Sequence, residues 1–137
     1  MKQDKELLLK DLCSRLPYGV KVESVFINPD TKKHKSCGIE VFDATSILMI
    51  RDGLGEFKPY LFPLSSMTEA QQEEFDRIYA DDMQVVSNNL KNRLDGKPYE
   101  TNLGHYRHID WLNANHFDYR GLIEKGLALD ATGLNIY

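Results

Sequence analysis

The chain has 137 residues, of which 42% are hydrophobic and 28% charged, and it carries a formal net charge of −4. That length suits a single domain able to bury a core without a metal or disulfide staple, and the composition excludes the weakly hydrophobic, highly charged regime of disordered chains. The acidic balance argues against a domain that neutralises many phosphates, so nucleic acid is a disfavoured partner.

At the N-terminus acids alternate with bases ahead of only three consecutive leucines, so no secretion signal is read there. Leu8, Leu9, Leu12, Cys13 and Leu16 recur at helical spacing, with Lys5, Lys10, Asp11 and Arg15 on the opposite face. This predicts an amphipathic helix over residues 3–16 that Pro17 stops. Val20 to Ile27 is rich in β-branched residues and reads as a first strand, and Asn28-Pro29-Asp30 is turn chemistry that reverses the chain. Two further strands are predicted at Cys37–Phe42 and Ser46–Arg51, split by Asp43-Ala44-Thr45 and followed by a turn at Asp52-Gly53-Leu54-Gly55. Phe57 to Leu64 is apolar but holds Pro59 and Pro63, which predicts an edge strand or an extended segment lying across the sheet.

Thr68 with Gln71 three positions on fits a capping box. Phe75, Ile78, Tyr79, Met83, Val86, Leu90 and Leu94 then mark the longest helix, with a break into two shorter helices left open at Asp81-Asp82 because aspartate is a poor helix former. Gly96 and Pro98 end that region, and Tyr106, Ile109, Trp111, Leu112 and Phe117 predict a short helix ending near His116. The tail from Gly121 to Tyr137 is apolar enough that it should dock on the core or on a partner. The longest apolar run, Ile47 to Ile50, is far short of the roughly 20 residues a bilayer span needs, so no membrane segment is expected and the compartment is read as cytoplasmic. Cys13 and Cys37 lack metal or disulfide spacing and are expected as buried thiols. Together these elements give an α+β fold, one domain over residues 1–137, with a small antiparallel sheet from about residues 19–64 covered by the N-terminal helix and the C-terminal helices. An SH3-like partial barrel is one shape open to such short strands.

Most of the imidazoles fall in one segment. His105, His108, His116 and Asp118, with Asp110 nearby, are the types that bind zinc or a redox metal, although HExxH and comparable motifs are absent and capping of a helix end explains the same residues. Ser65-Ser66 and Cys37 have no general base placed beside them, and the serines precede a helix where hydroxyls cap free N–H groups. Lys32, Lys33 and Lys35, with His34, form the one dense basic run, a candidate contact for phosphate or an acidic protein surface. Trp111, Phe117, Tyr119 and Arg120 are interface-type residues that serve equally well to fasten the C-terminal segment to the sheet.

Three stretches carry a family resemblance: Leu16-Pro17-Tyr18-Gly19-Val20-Lys21-Val22, Lys58-Pro59-Tyr60-Leu61-Phe62-Pro63-Leu64-Ser65-Ser66-Met67-Thr68, and the run from Ile109 to Ile123 that reads Ile-Asp-Trp-Leu-Asn-Ala-Asn-His-Phe-Asp-Tyr-Arg-Gly-Leu-Ile. With the ending Gly126-Leu127-Ala128-Leu129-Asp130, the chain resembles an uncharacterised family widespread in gut Bacteroidales genomes and their phage-like or mobile elements. The resemblance implies a small cytoplasmic accessory protein and carries over no catalytic residues. Asn115 stands where members of that family often have a second histidine, which weakens a metal site there.

The expected function is a non-catalytic protein-binding or accessory module, its partner another protein or a second copy, with no cofactor. The rivals are a small metal-dependent enzyme using His105, His108 and His116 and a nucleic-acid-associated regulator using the Lys32 to Lys35 loop.

Overall fold

Helical leucine spacing at the N-terminus builds α1 (Lys2–Arg15) in the computed structural model, which describes residues 2–97 and 107–137. The described chain divides into two compact units, Met1–Ser66 with His116–Tyr137, and Met67–Asn115. Among the described residues, four helices and a five-stranded, mostly antiparallel sheet make the α+β architecture that the sequence pattern predicts, and the sheet is open rather than closed into a barrel.

In the first unit Pro17 turns the end of α1 into a short 3-10 turn over Leu16–Tyr18, and Gly19, at φ 66, takes the left-handed conformation that starts β1. β1 (Lys21–Ile27) pairs antiparallel with β2 (His34–Val41) through the predicted reversal, where the Asn28 carboxamide oxygen accepts from Asp30 N–H at 2.9 Å and Thr31 N–H at 3.1 Å. All of β2 is exposed, including Cys37, and Cys13 on α1 is exposed too, so the thiols expected inside lie outside.

The predicted strand at Ser46–Arg51 is a helix instead, α2 (Ala44–Arg51). Asp43 accepts from Ser46 N–H at 3.0 Å while Asp43 N–H donates to the Ser46 hydroxyl at 3.3 Å, a capping box that outweighs the strand-like run Ile47 to Ile50.

β3 (Gly55–Pro63) is not an edge strand. It lies against β1 and also receives β4 (Phe117–Asp118) and β5 (Leu129–Asp130), both parallel to it. Its prolines are tolerated because of register. Ile27 N–H donates to Leu54 O at 2.8 Å, which makes Val25 with Glu56 and Glu23 with Lys58 the pairs that exchange bonds and leaves Pro59, opposite Val22, without a donor to supply toward β1.

Alternate β3 residues Phe57, Pro59 and Leu61 point into a core with Leu12 of α1, Val22 of β1 and Phe42. The tail docks as expected: Leu122, Ala128 and Ala131 are buried, and Ala131 N–H donates to Leu61 O at 2.8 Å. A fully buried side chain of the size of Leu122 contributes roughly 1.5–3 kcal/mol.

The second unit pairs α3 (Glu69–Leu94) with α4 (Arg107–Ala114). Thr68 accepts from Gln71 N–H while Gln71 accepts from Thr68 N–H, the predicted capping box. α3 then runs unbroken through Asp81-Asp82, because Asp82 has a partner in α4 that offsets its poor propensity.

Candidate functional site

α3 has two apolar faces. At 100° per residue Tyr79, Met83, Val86, Leu90 and Leu94 fall within an arc of about 80°, whereas Phe75, Ile78, Asp82 and Val85 centre about 100° away. The second face is the partly or wholly buried one, with the Phe75 ring 5.7 Å from that of Trp111 in α4. The first is solvent-exposed, from 37% at Met83 to 60% at Leu90 and 80% at Leu94. A continuous apolar stripe over four turns of one helix is the kind of surface that marks a contact site, unlike scattered single exposed residues.

Asp82 holds the hairpin together. Fully buried, its carboxylate accepts from His108 N–H at 2.8 Å, lies 2.6 Å from His108 Nδ1, and accepts from Arg107 Nε at 3.3 Å. His108 N–H is one of the first-turn donors of α4 that no intrahelical carbonyl can reach, so a side chain of α3 caps α4 and sets a negative charge at the positive end of its dipole. Burial pushes the Asp82 carboxyl up, but the bonds from His108 and Arg107 outweigh it and hold the group below its ordinary value. The Tyr79 ring meets His108 edge-on at 5.1 Å, placing this clamp beside the exposed stripe.

The first unit has its own buried carboxylate. Asp11, assigned by its spacing to the polar face of α1, is fully buried together with Arg15. Arg15 Nε donates to Asp11 at 2.8 Å and Arg15 Nη2 to Phe117 O at 2.6 Å, while Arg120 Nη1 donates to Asp11 at 2.7 Å. Tyr119 presents its ring to both guanidinium groups, 5.3 Å from Arg15 and 4.7 Å from Arg120.

Close by, His116 stacks on Tyr137 with ring centroids 3.6 Å apart, and the Tyr137 hydroxyl accepts from Lys21 N–H at 2.8 Å and donates to Tyr60 O at 2.7 Å. Burial, with the charges of Arg15 and Lys21, lowers His116 to about 4; burial likewise raises Tyr137 to about 12. Among the described residues Arg15 Nη1 and His116 Nδ1 are buried without a hydrogen-bond partner.

These contacts place the residues singled out by sequence. Phe117, Tyr119 and Arg120 fasten the C-terminal segment to α1 and β3, and Trp111 packs within the helical hairpin. His108 is committed to Asp82, and both Asp118 oxygens accept backbone N–H groups, from Leu122 at 2.9 Å and Ile123 at 3.0 Å. His116 and Asp118 belong to the first unit and His108 to the second, while His105 lies outside the described residues. Among the described residues no three His, Cys, Asp or Glu side chains gather as metal ligands would. Lys32, Lys33 and Lys35 are exposed at the β1–β2 reversal, with Lys32 at φ 60. Ser66 donates to Pro63 O at 2.7 Å, and Thr68 rather than either serine caps α3.

Sequence reasoning missed two features. Asp82 could have been found from its neighbours at i±3 and i±4, which are Ile78, Tyr79, Val85 and Val86, an apolar setting for a carboxylate. A cleft of about 390 Å³ in the first unit, lined by Leu8, Leu9, Ile27, Ile50, Phe57 and Leu127 with Lys5 and Lys58 alongside, joins residues too distant in the chain to show any pattern.

No protein-family model, curated protein or solved structure matches the chain. No helix among the described residues is long and apolar enough to cross a membrane.

Proposed function

We propose that the chain is a non-catalytic protein-binding module, an accessory protein of phage or mobile-element type acting in the cytoplasm. The exposed stripe of α3 carries this reading: Tyr79, Met83, Val86, Leu90 and Leu94 present apolar area to water on a helix whose ends are capped and whose other face is packed. Taking such a side chain from full exposure to full burial contributes roughly 1.5–3 kcal/mol, and a partner would gain the share still in water, largest at Leu90 and Leu94, a source of affinity that needs no chemistry. The family resemblance, with no catalytic residue set attached, supports the same reading.

The test is affinity capture from host-cell lysate with the tagged protein, with and without nuclease, beside a Met83→Glu/Leu90→Glu variant. A defined protein held through nuclease by the native chain and lost by the variant is the expected result. Equal capture by both, or capture that nuclease clears, would sink the proposal, the latter in favour of the Lys32 to Lys35 loop.

A further inference from the structure

The exposed residues of α3 are segregated by charge as well as by polarity. Its N-terminal half displays Glu69, Glu73, Glu74, Asp76 and Asp81 against Arg77, and its C-terminal end displays Lys91 and Arg93, continued by Lys97, against Asp95. The apolar stripe runs between these two ends. Such a helix complements its own reverse. A parallel copy would set acid beside acid and base beside base, whereas an antiparallel copy sets each acidic end beside a basic one while the stripes meet.

From this we infer that α3 pairs antiparallel with α3 of a second copy of the chain, an inference that rests on the protein-binding reading of the same stripe and names its occupant. The spacing of the stripe also sets the register. Tyr79, Met83, Val86 and Leu90 alternate by four, three and four residues, the a/d step of a coiled-coil seam. In an antiparallel seam an a position faces a d position, so Met83 meets Val86 of the second copy and Tyr79 meets Leu90. The same register puts Asp76 opposite Arg93 at each end of the seam. The twofold relation makes every contact occur twice, as a closed two-copy interface requires.

Sedimentation of the full chain over roughly 1–300 µM, a range that spans micromolar dissociation constants, reads the pairing directly. The mass is expected to rise from 15.8 kDa towards twice that value. Leu90→Lys, at a position 60% exposed in one chain, should weaken association at least about tenfold with the circular dichroism spectrum unchanged. Asp76→Arg and Arg93→Asp should each weaken it, and the double swap should restore it, because the two positions face each other only across an antiparallel pair. A mass that stays at 15.8 kDa throughout would overturn self-pairing. In that case stripe-dependent capture from lysate would leave the protein-binding reading standing, and its loss would remove both. A dimer indifferent to Leu90→Lys, or one the double swap fails to restore, would overturn the α3 seam or its antiparallel sense.

Discussion

The two units handle their polar and apolar side chains in opposite ways. Each is organised round a buried carboxylate, Asp11 in the first and Asp82 in the second, and each carboxylate is met by cationic or N–H donors from distant sequence. In the first unit the apolar residues of α1, β1, β3 and the docked tail form a core of Leu12, Val22, Phe57, Leu61 and Leu122. In the second, α3 spends one face on α4 and leaves another in water. The first unit leaves single apolar residues about half exposed, such as Ile39, Val41 and Leu48, but α3 lines five of them along one face, and that alignment is why the binding reading rests on the stripe.

The most damaging change should be Arg15→Ala. It removes the guanidinium from a fully buried pair and leaves Asp11 with Arg120 alone, and breaking a buried pair from one side typically costs about 3–5 kcal/mol. Chemical denaturation would check this; a loss below about 1 kcal/mol would mean the network contributes little. Asp82→Asn should cost less, about 1.5–3 kcal/mol, since it exchanges charge-assisted hydrogen bonds for neutral ones. Hydrogen exchange would show faster exchange in α4 with β1 and β3 unchanged. Exchange that speeds up equally in β1 and β3 would contradict a clamp local to the hairpin.

Acid should separate the units next. His116 is held near 4 against an ordinary 6.5, so between those values the unfolded chain takes up a proton that the folded chain refuses. Stability should therefore be full above pH 6.5 and fall as pH drops towards 4. His116→Asn, which removes the titration and suits a residue at φ 62, should flatten that slope. An unchanged slope would assign it elsewhere. Asp82 acts lower, since its depressed value places the loss below the ordinary 3.8. Smaller again is Thr68→Ala, expected to cost about 1 kcal/mol through loss of the α3 cap, read as a lower denaturation midpoint.

Local signals were legible in the sequence and non-local ones were not. Leucine spacing located α1, Asn28-Pro29 the β1–β2 reversal, and Thr68 with Gln71 the start of α3, each because the physics is complete within four residues. α2 was misread because four consecutive apolar residues have no period, although Asp43 and Ser46 already formed a capping signature. The centrality of β3 depended on which side each proline nitrogen faces, and that is a property of register. Asp11 and Arg15, an i,i+4 pair, look the same in sequence whether they lie in water or under Tyr119 and Arg120. The stripe residues of α3 were visible as an apolar face; that they split from the packed face by about a quarter turn required α4 to be in place.

The smallest expected effect is the one that most sharpens the contrast between the units. Leu94 is 80% exposed, so in an isolated chain Leu94→Gln removes almost no buried area and should change stability by no more than about 0.5 kcal/mol. Leu61 in the first unit has the same side chain fully buried, and Leu61→Ala there should cost about 2–5 kcal/mol. The comparison must be made at low protein concentration, where any association is dissociated, because mass action would otherwise add the partner's contribution to the native chain. If Leu94→Gln is neutral when dilute yet lowers stability as concentration rises, the stripe is idle in one chain and used between chains. A loss of about 2 kcal/mol even at high dilution would show that Leu94 is already packed within the chain, and the stripe would then have to be counted with the core.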